Sequence, residues 1–112
     1  PPISVVVCTR DRPALLQTCL AALTRQAYPA YEVIVVDNAS RTPETRTVAE
    51  AAGCRYHLEP RPGLDHARNC GWQQARYGLV AYADDDTIAH RDWLIGLARA
   101  FRDADVAAVT GG

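Results

Sequence analysis

The sequence predicts an α/β domain built on an open, mostly parallel sheet with helices on both faces. Short apolar runs rich in Val and Ile, such as residues 3–8 and 32–36, have the composition of strands buried on both faces. Each of these runs is followed by a short polar loop and then by a segment with the apolar periodicity of a helix. Strands that alternate with helices form parallel sheets, so the strands are expected to end at one shared edge.

Size and composition favour one ordinary globular domain. The chain has 112 residues, of which 48% are hydrophobic and 22% charged, enough for one modest core. A net charge of −1 offers no basic surface for nucleic acid, and no stretch approaches the roughly 18 apolar residues of a membrane span. The four cysteines lack C-x-x-C spacing, and the first residues lack the charged region and long apolar region of a signal peptide. We therefore expect a cytoplasmic protein, whose contact with a membrane, if any, is made through regions outside this chain.

The first half of the chain contains two strand-helix units. After a polar loop at residues 9–12, Pro13 is suited to the first turn of a helix, and apolar residues then recur at helical spacing. The second strand, residues 32–36, ends at an Asx- and Ser-containing turn. A second helix is predicted over residues 43–52, with Gly53 at its C′ position.

The second half continues this alternation. We predict a short strand over residues 54–58, a helix over residues 64–77 that Gly78 ends, and a strand over residues 79–83. A final helix and a strand over residues 106–110 complete the pattern; the apolar positions that mark the helix are Trp93, Leu94, Leu97, Ala98 and Phe101.

Polar residues follow three of the predicted strands. In open α/β sheets a ligand binds outside the carboxyl ends of the strands, near the point where the strand order reverses. We therefore expect one shared crevice, formed by Thr9-Arg10-Asp11, Asp37-Asn38 and Asp84-Asp85-Asp86.

The three adjacent aspartates carry the most information about function. Neighbouring carboxylates repel one another unless a cation or hydrogen-bond donors offset their charge. One or two carboxylates together with phosphate oxygens form a usual site for Mg²⁺, and Mn²⁺ prefers the same oxygen ligands. The alternative is a solvated acidic turn that caps the next helix.

The other candidate residues each have a structural interpretation beside the functional one. Asp37 can accept an N–H from a nucleobase, or it can cap the turn into the next helix. Any of four arginines can neutralise a diphosphate or remain a surface charge: Arg10, Arg12, Arg61 and Arg68. Neither a phosphate-binding loop nor a G-x-G-x-x-G fingerprint is present, which argues against kinases and simple dehydrogenases.

At this point the sequence resembles the inverting glycosyltransferases of family 2, which have the GT-A fold, a Rossmann-like arrangement. The resemblance covers nearly the whole chain and is carried by four ordered blocks, residues 3–12, 35–40, 62–71 and 82–86. It implies a nucleoside diphosphate sugar as donor, Mn²⁺ or Mg²⁺ as cofactor, and an acceptor hydroxyl on a saccharide, lipid or protein.

The resemblance also implies roles for individual residues. The nucleotide-sugar site would be formed by Thr9, Arg10, Asp11, Asp37, Arg68, Asp84 and Asp85. Asp37 would receive the base N–H, and Asp85 would lie on the ribose or sugar side. Asp86 would be the direct metal ligand, together with Asp84. The catalytic base would lie beyond Gly112, so this segment alone is expected to transfer no sugar.

Two other classes of protein remain open from the residues alone. A nucleotidyltransferase would also use aspartates and a divalent ion, although the loop after the first strand lacks the Gly residues usual in those enzymes. A non-catalytic module that binds a sugar nucleotide, or whose acids are merely solvated, is the second alternative.

Overall fold

The computed structural model describes residues 1–104 and 108–110. It confirms the predicted α/β fold, in which strands and helices alternate along the chain. The elements are β1 (Ile3–Thr9), α1 (Pro13–Leu23), β2 (Tyr31–Asp37), α2 (Glu44–Ala51), β3 (Arg55–Leu58), α3 (Leu64–Gln74), β4 (Leu79–Asp84), α4 (Trp93–Ala104) and β5 (Ala108–Thr110). Within these ranges no helix is both long and apolar enough to cross a bilayer.

The described strands form one open sheet in the order β3-β2-β1-β4-β5. Every pairing between them is parallel. The chain adds β2 and β3 on one side of β1 and then returns to place β4 on the other side. The strand order therefore reverses between β1 and β4, where ligands bind in sheets of this kind.

Helices cover both faces of the sheet, as the sequence predicts. Alternate strand residues point to opposite faces, so β1 contributes Val5 and Val7 to one core and Val6 to the other. The larger core packs α1, α2 and α4 against the sheet, while the smaller one packs α3 against β1, β2 and β4. Because both faces of the sheet are covered, the strand sequences are continuous apolar runs and do not alternate between apolar and polar residues.

Most predicted boundaries agree with the structure within two residues. Gly53 has φ of 75° directly after α2, as its predicted C′ position requires. For the last strand, Val106 and Ala107 lie outside the described residues, and β5 is described from Ala108.

The predicted end of the third helix was wrong. α3 ends at Gln74, three residues before the predicted Tyr77, and Ala75 is already extended. The cause is long-range, because the N–H of Arg76 donates to the Glu32 carboxylate and the N–H of Tyr77 donates to the Ser4 hydroxyl. These acceptors on β1 and β2 take the N–H groups that would otherwise continue the helix.

The segment after β4 is tied to the loop after α1 by the buried side chain of Gln26. Its Nε2 donates to the carbonyl of His90 at 2.8 Å, and its Oε1 accepts the N–H of Leu94 at 3.0 Å. Gln26 thus satisfies an N–H in the first turn of α4 that has no partner inside the helix. The three aspartates 84–86, called the acidic loop below, therefore lie between the end of β4 and a segment that Gln26 anchors.

Gly71 allows α3 to pack closely on β1. A Cβ at this position would lie 2.3 Å from Cγ1 of Val6, which is fully buried. We expect Gly71→Ala to lower the free energy of unfolding by about 1–3 kcal/mol, because overpacking exceeds the helix-propensity gain of alanine. Urea unfolding followed by circular dichroism measures the change.

Gly96 provides the matched control on α4. A Cβ there would meet nothing within 4 Å, so Gly96→Ala should raise the free energy of unfolding by about 0.5–1 kcal/mol. Equal effects of the two substitutions would contradict the close contact between α3 and β1.

Candidate functional site

The polar ends of β1, β2 and β4 lie at one edge of the sheet. The parallel register pairs Thr9 with Asp37 and Cys8 with Asp84. The structure therefore confirms that the three predicted polar clusters share one edge. They meet at the point between β1 and β4 where the strand order reverses.

A crevice of about 260 Å³ opens at this edge. Three of the predicted site residues line it, namely Thr9, Arg10 and Asp85. Asn38, from the predicted Asp37-Asn38 cluster, and Arg12, one of the candidate diphosphate partners, also line it. The remaining lining residues, Cys8, Leu64 and Ala67, were not predicted. The other five predicted site residues lie outside this lining: Asp11, Asp37, Arg68, Asp84 and Asp86.

The three aspartates of the acidic loop differ in burial. Asp85 is buried, and its Oδ2 accepts the Thr9 hydroxyl at 2.9 Å while its Oδ1 accepts a guanidinium N–H of Arg12 at 3.3 Å. Asp84 and Asp86 on either side are exposed. α4 begins only at Trp93, so the acids do not cap that helix as the structural alternative supposed.

The carboxylates of the acidic loop are suited to a cation whose other coordinating oxygens come from a bound ligand and from water. In the part of the chain that the structure describes, no three His, Cys, Asp or Glu side chains gather into a metal site. Two exposed carboxylates at a strand end are nonetheless the donor set that Mg²⁺ uses when phosphate oxygens and water complete its shell. Asp84 and Asp86 are therefore the residues that can hold such an ion.

Asp37 is held in place by two donors. The residue is 2% exposed. Its Oδ1 accepts the N–H of Ser40 at 3.0 Å, which caps the turn after β2, and its Oδ2 accepts the hydroxyl of Tyr56 at 2.6 Å. Burial raises the pKa of Tyr56, and the hydrogen bond to Asp37 raises it further, so the hydroxyl stays a donor. The capping role considered from the sequence is thus present.

Asp11 joins the loops that follow β1 and β2. It has φ of 53°, its N–H donates to the Ser40 hydroxyl, and its Oδ1 accepts the N–H of Arg41 at 2.7 Å. Arg10 lies at 4.0 Å from its other oxygen. Asp11 therefore holds the loop after β1 against the loop after β2.

Arg68, another predicted site residue, is exposed on α3.

Asn38 is a functional candidate that the sequence reasoning underestimated. Its buried amide donates to the carbonyls of Glu59 and Arg61 and accepts the N–H of Gly63 at 2.9 Å. These bonds fix the loop of residues 59–63 beside the crevice. In the sequence, this role is indicated by the position of Asn38 directly after a buried strand, where an Asn side chain often bonds to backbone groups.

Glu59 and Arg61 stiffen the same loop. The Arg61 guanidinium donates to the Glu59 carboxylate at 2.7 Å, and this hydrogen bond holds the pKa of Glu59 below its usual range. Arg61 is thereby engaged within its own loop rather than directed into the crevice lining.

Cys8 lines the crevice without being suited to nucleophilic chemistry. Burial raises the pKa of its thiol to about 11, and a thiol rather than a thiolate is a poor nucleophile.

A larger groove of about 390 Å³ between α1 and α2 contains one charged lining residue, Arg25, and lies away from the strand ends. The crevice at the sheet edge is therefore the better candidate site.

Comparison with known proteins identifies the family of this chain. The profile described as "Glycosyl transferase family 2" matches residues 4–112. The chain belongs to this family. It is 35% identical over 102 residues to Glycosyltransferase AglE of Haloferax volcanii, covering 84% of this chain and 33% of AglE.

Solved structures agree in fold. The structure of S. aureus TarS 1-349 in complex with UDP superposes with a TM-score of 0.80 at 23% identity, covering 92% of this chain and 32% of that one. Glucosyl-3-phosphoglycerate synthase from Mycobacterium tuberculosis, in complex with Mn²⁺, UDP and glucosyl-3-phosphoglycerate, gives 0.75 at 22% identity, covering 89% and 39%.

Membership of glycosyl transferase family 2 answers two questions left open by the residues. The fold is that of the GT-A glycosyltransferases, as the resemblance implied. A nucleotidyltransferase is set aside, because the family match covers the four blocks that carry the resemblance, except for Ile3. The chain spans about a third of the length of AglE and TarS 1-349.

Removal of the Asn38 amide should loosen the loop of residues 59–63. We expect Asn38→Ala to speed hydrogen exchange of the Gly63 N–H at least about tenfold, because that N–H loses its acceptor. Exchange followed by NMR measures this. The Ala67 N–H bonds to the Gly63 carbonyl and serves as internal control; equal acceleration at both amides would indicate general loosening instead.

Proposed function

We propose that this segment binds the donor of a metal-dependent, inverting glycosyltransferase. The donor is a nucleoside diphosphate sugar, and the sugar is transferred to an acceptor hydroxyl on a saccharide, lipid or protein. Thr9, Arg10 and Asp85 contact the nucleotide from the crevice, while Asp84 and Asp86 hold Mn²⁺ or Mg²⁺. Asp11 shapes the loop, and Arg68 contacts the donor from α3.

The arrangement of the acidic loop carries this proposal. Asp85 is fixed inward by the Thr9 hydroxyl across the reversal of strand order, and an exposed carboxylate remains on each side. An anchored acceptor for sugar or ribose hydroxyls thus stands beside ligands for a hard cation. A solvated acidic turn would need neither the buried carboxylate nor its placement at this edge.

The ligands of similar proteins guide the choice of nucleotide and metal. The TarS structure contains UDP, and the mycobacterial synthase contains Mn²⁺ together with UDP. Both proteins share the fold of this chain, at sequence identities below 25%. They support UDP and Mn²⁺ as the first ligands to test with this chain. The sugar of its donor is to be found separately, by testing different UDP-sugars.

Asp37 is proposed to accept the N–H of the nucleobase. Its two present hydrogen bonds both come from donors, so it offers only acceptor capacity to a further partner. A carboxylate presented in this way favours a base with a ring N–H, such as uracil or guanine, over one with a bare ring nitrogen.

The proposed reaction divides between this chain and an acidic base expected beyond Gly112. That base removes the proton of the acceptor hydroxyl, whose oxygen forms a bond to the anomeric carbon from the side opposite the diphosphate. The bond from carbon to diphosphate oxygen breaks, and the nucleoside diphosphate leaves. A bound divalent ion supplies charge stabilisation to the leaving diphosphate. The residues of this chain hold and orient the donor.

Nucleotide binding is expected to depend on a divalent ion through Asp86. A diphosphate adds roughly two negative charges to a site with three carboxylates, so a cation must lie between them. Asp86→Ala should therefore weaken Mn²⁺-dependent UDP binding by about tenfold or more. Titration calorimetry with Mn²⁺ and then with EDTA measures this dependence.

Asp37→Asn is the comparison variant, because it keeps the shape of a side chain that two donors hold. It should weaken UDP binding by about 1–3 kcal/mol and reduce the preference for UDP over CDP, while the metal dependence survives. If the unsubstituted protein bound UDP equally well with Mn²⁺ and with EDTA, the site would be a solvated acidic turn or a metal-independent binding module.

A further inference from the structure

Three adjacent carboxylates repel one another unless a positive charge lies nearby, and the structure contains one. The Arg12 guanidinium lies 3.3 Å from Oδ1 of Asp85, in the same crevice lining. The Thr9 hydroxyl occupies the other oxygen of Asp85. The most buried acid of the loop is thus neutralised by the protein itself.

The two partners of Asp85 differ in how easily they can leave. The Thr9 hydroxyl is buried, bonds at 2.9 Å and lies on a central strand. The Arg12 side chain is 54% exposed, bonds at 3.3 Å and extends from the loop before α1. Because the guanidinium is half exposed and its contact with the buried carboxylate is long, water can replace Asp85 as its partner, so the Arg12 side chain can move at little cost.

We propose that Arg12 is an exchangeable counter-ion of the acidic loop. In the free protein it neutralises Asp85, and when the donor binds it pairs with the diphosphate and leaves Asp85 to sugar or ribose hydroxyls. This inference rests on the proposed donor site. Arg12 thereby couples nucleotide entry to the release of a carboxylate, and a guanidinium suits both partners because it pairs with carboxylates and phosphates alike.

Arg12 should affect the binding of a metal ion and of a nucleotide in opposite directions. Its positive charge beside the acidic loop repels Mn²⁺ when no nucleotide is present. The same charge attracts the diphosphate once nucleotide binds. A residue that served only to stabilise the loop would weaken both ligands together when removed, since both need the loop intact.

The test uses Arg12→Gln, which removes the charge from a side chain that makes no helix-capping bond. We expect Mn²⁺ alone to bind about threefold to tenfold more tightly, and UDP at saturating Mn²⁺ to bind about threefold to tenfold more weakly. Electron paramagnetic resonance of free Mn²⁺ gives the first affinity, and titration calorimetry gives the second.

Arg25→Gln is the matched control, because it removes the same charge beyond the other end of α1. At 1.5 Å per residue the two arginines are about 20 Å apart along the helix, more than the roughly 8 Å over which physiological salt screens exposed charges. The control should change neither affinity.

Each outcome decides between the proposals. Opposite changes in Arg12→Gln, absent from Arg25→Gln, support the exchange. Changes of the same sign, no change, or matching effects in the control variant overturn it. Failure of the unsubstituted protein to show Mn²⁺-dependent UDP binding overturns the proposed function itself, whatever Arg12→Gln does.

Discussion

The site depends on the parallel pairing of β1 with β2 on one side and with β4 on the other. That register places Thr9 level with Asp37 and Cys8 level with Asp84. Residues far apart in sequence therefore end at one edge, and the strand order reverses between the two strands that carry Thr9 and the acidic loop. A slip of one residue would turn these side chains to the opposite face of the sheet.

The loops at this edge are held by side chains that bond to backbone. Asn38 fixes the loop after β3, and Asp11 fixes the turn after β2. Each bond crosses from one connection to another, so the loops brace one another. Ligand-binding residues on loops reach a defined geometry when a rigid scaffold supports them in this way.

The acidic loop limits the repulsion between its three carboxylates by placing them in different surroundings. One carboxylate turns inward to a hydroxyl and a guanidinium, while its neighbours remain in water, where their repulsion is screened. Under the proposed function, these two exposed carboxylates are the ligands of a cation. The burial of Asp85 between Asp84 and Asp86 would then both limit repulsion within the loop and leave its metal ligands in reach of solvent.

Local patterns were enough to predict the succession of strands and helices along the chain, the parallel sheet and the edge at which the polar clusters meet, because buried strands and amphipathic helices each have a characteristic periodicity. The same patterns pointed to Thr9, Arg10 and Asp85, which line the crevice. Three features became visible only in the folded chain: the end of α3 at Gln74, the bonds of Asn38 to the loop after β3, and the contact of Arg12 with Asp85. Each of these rests on a partner more than 20 residues away, and such a pairing leaves no local pattern.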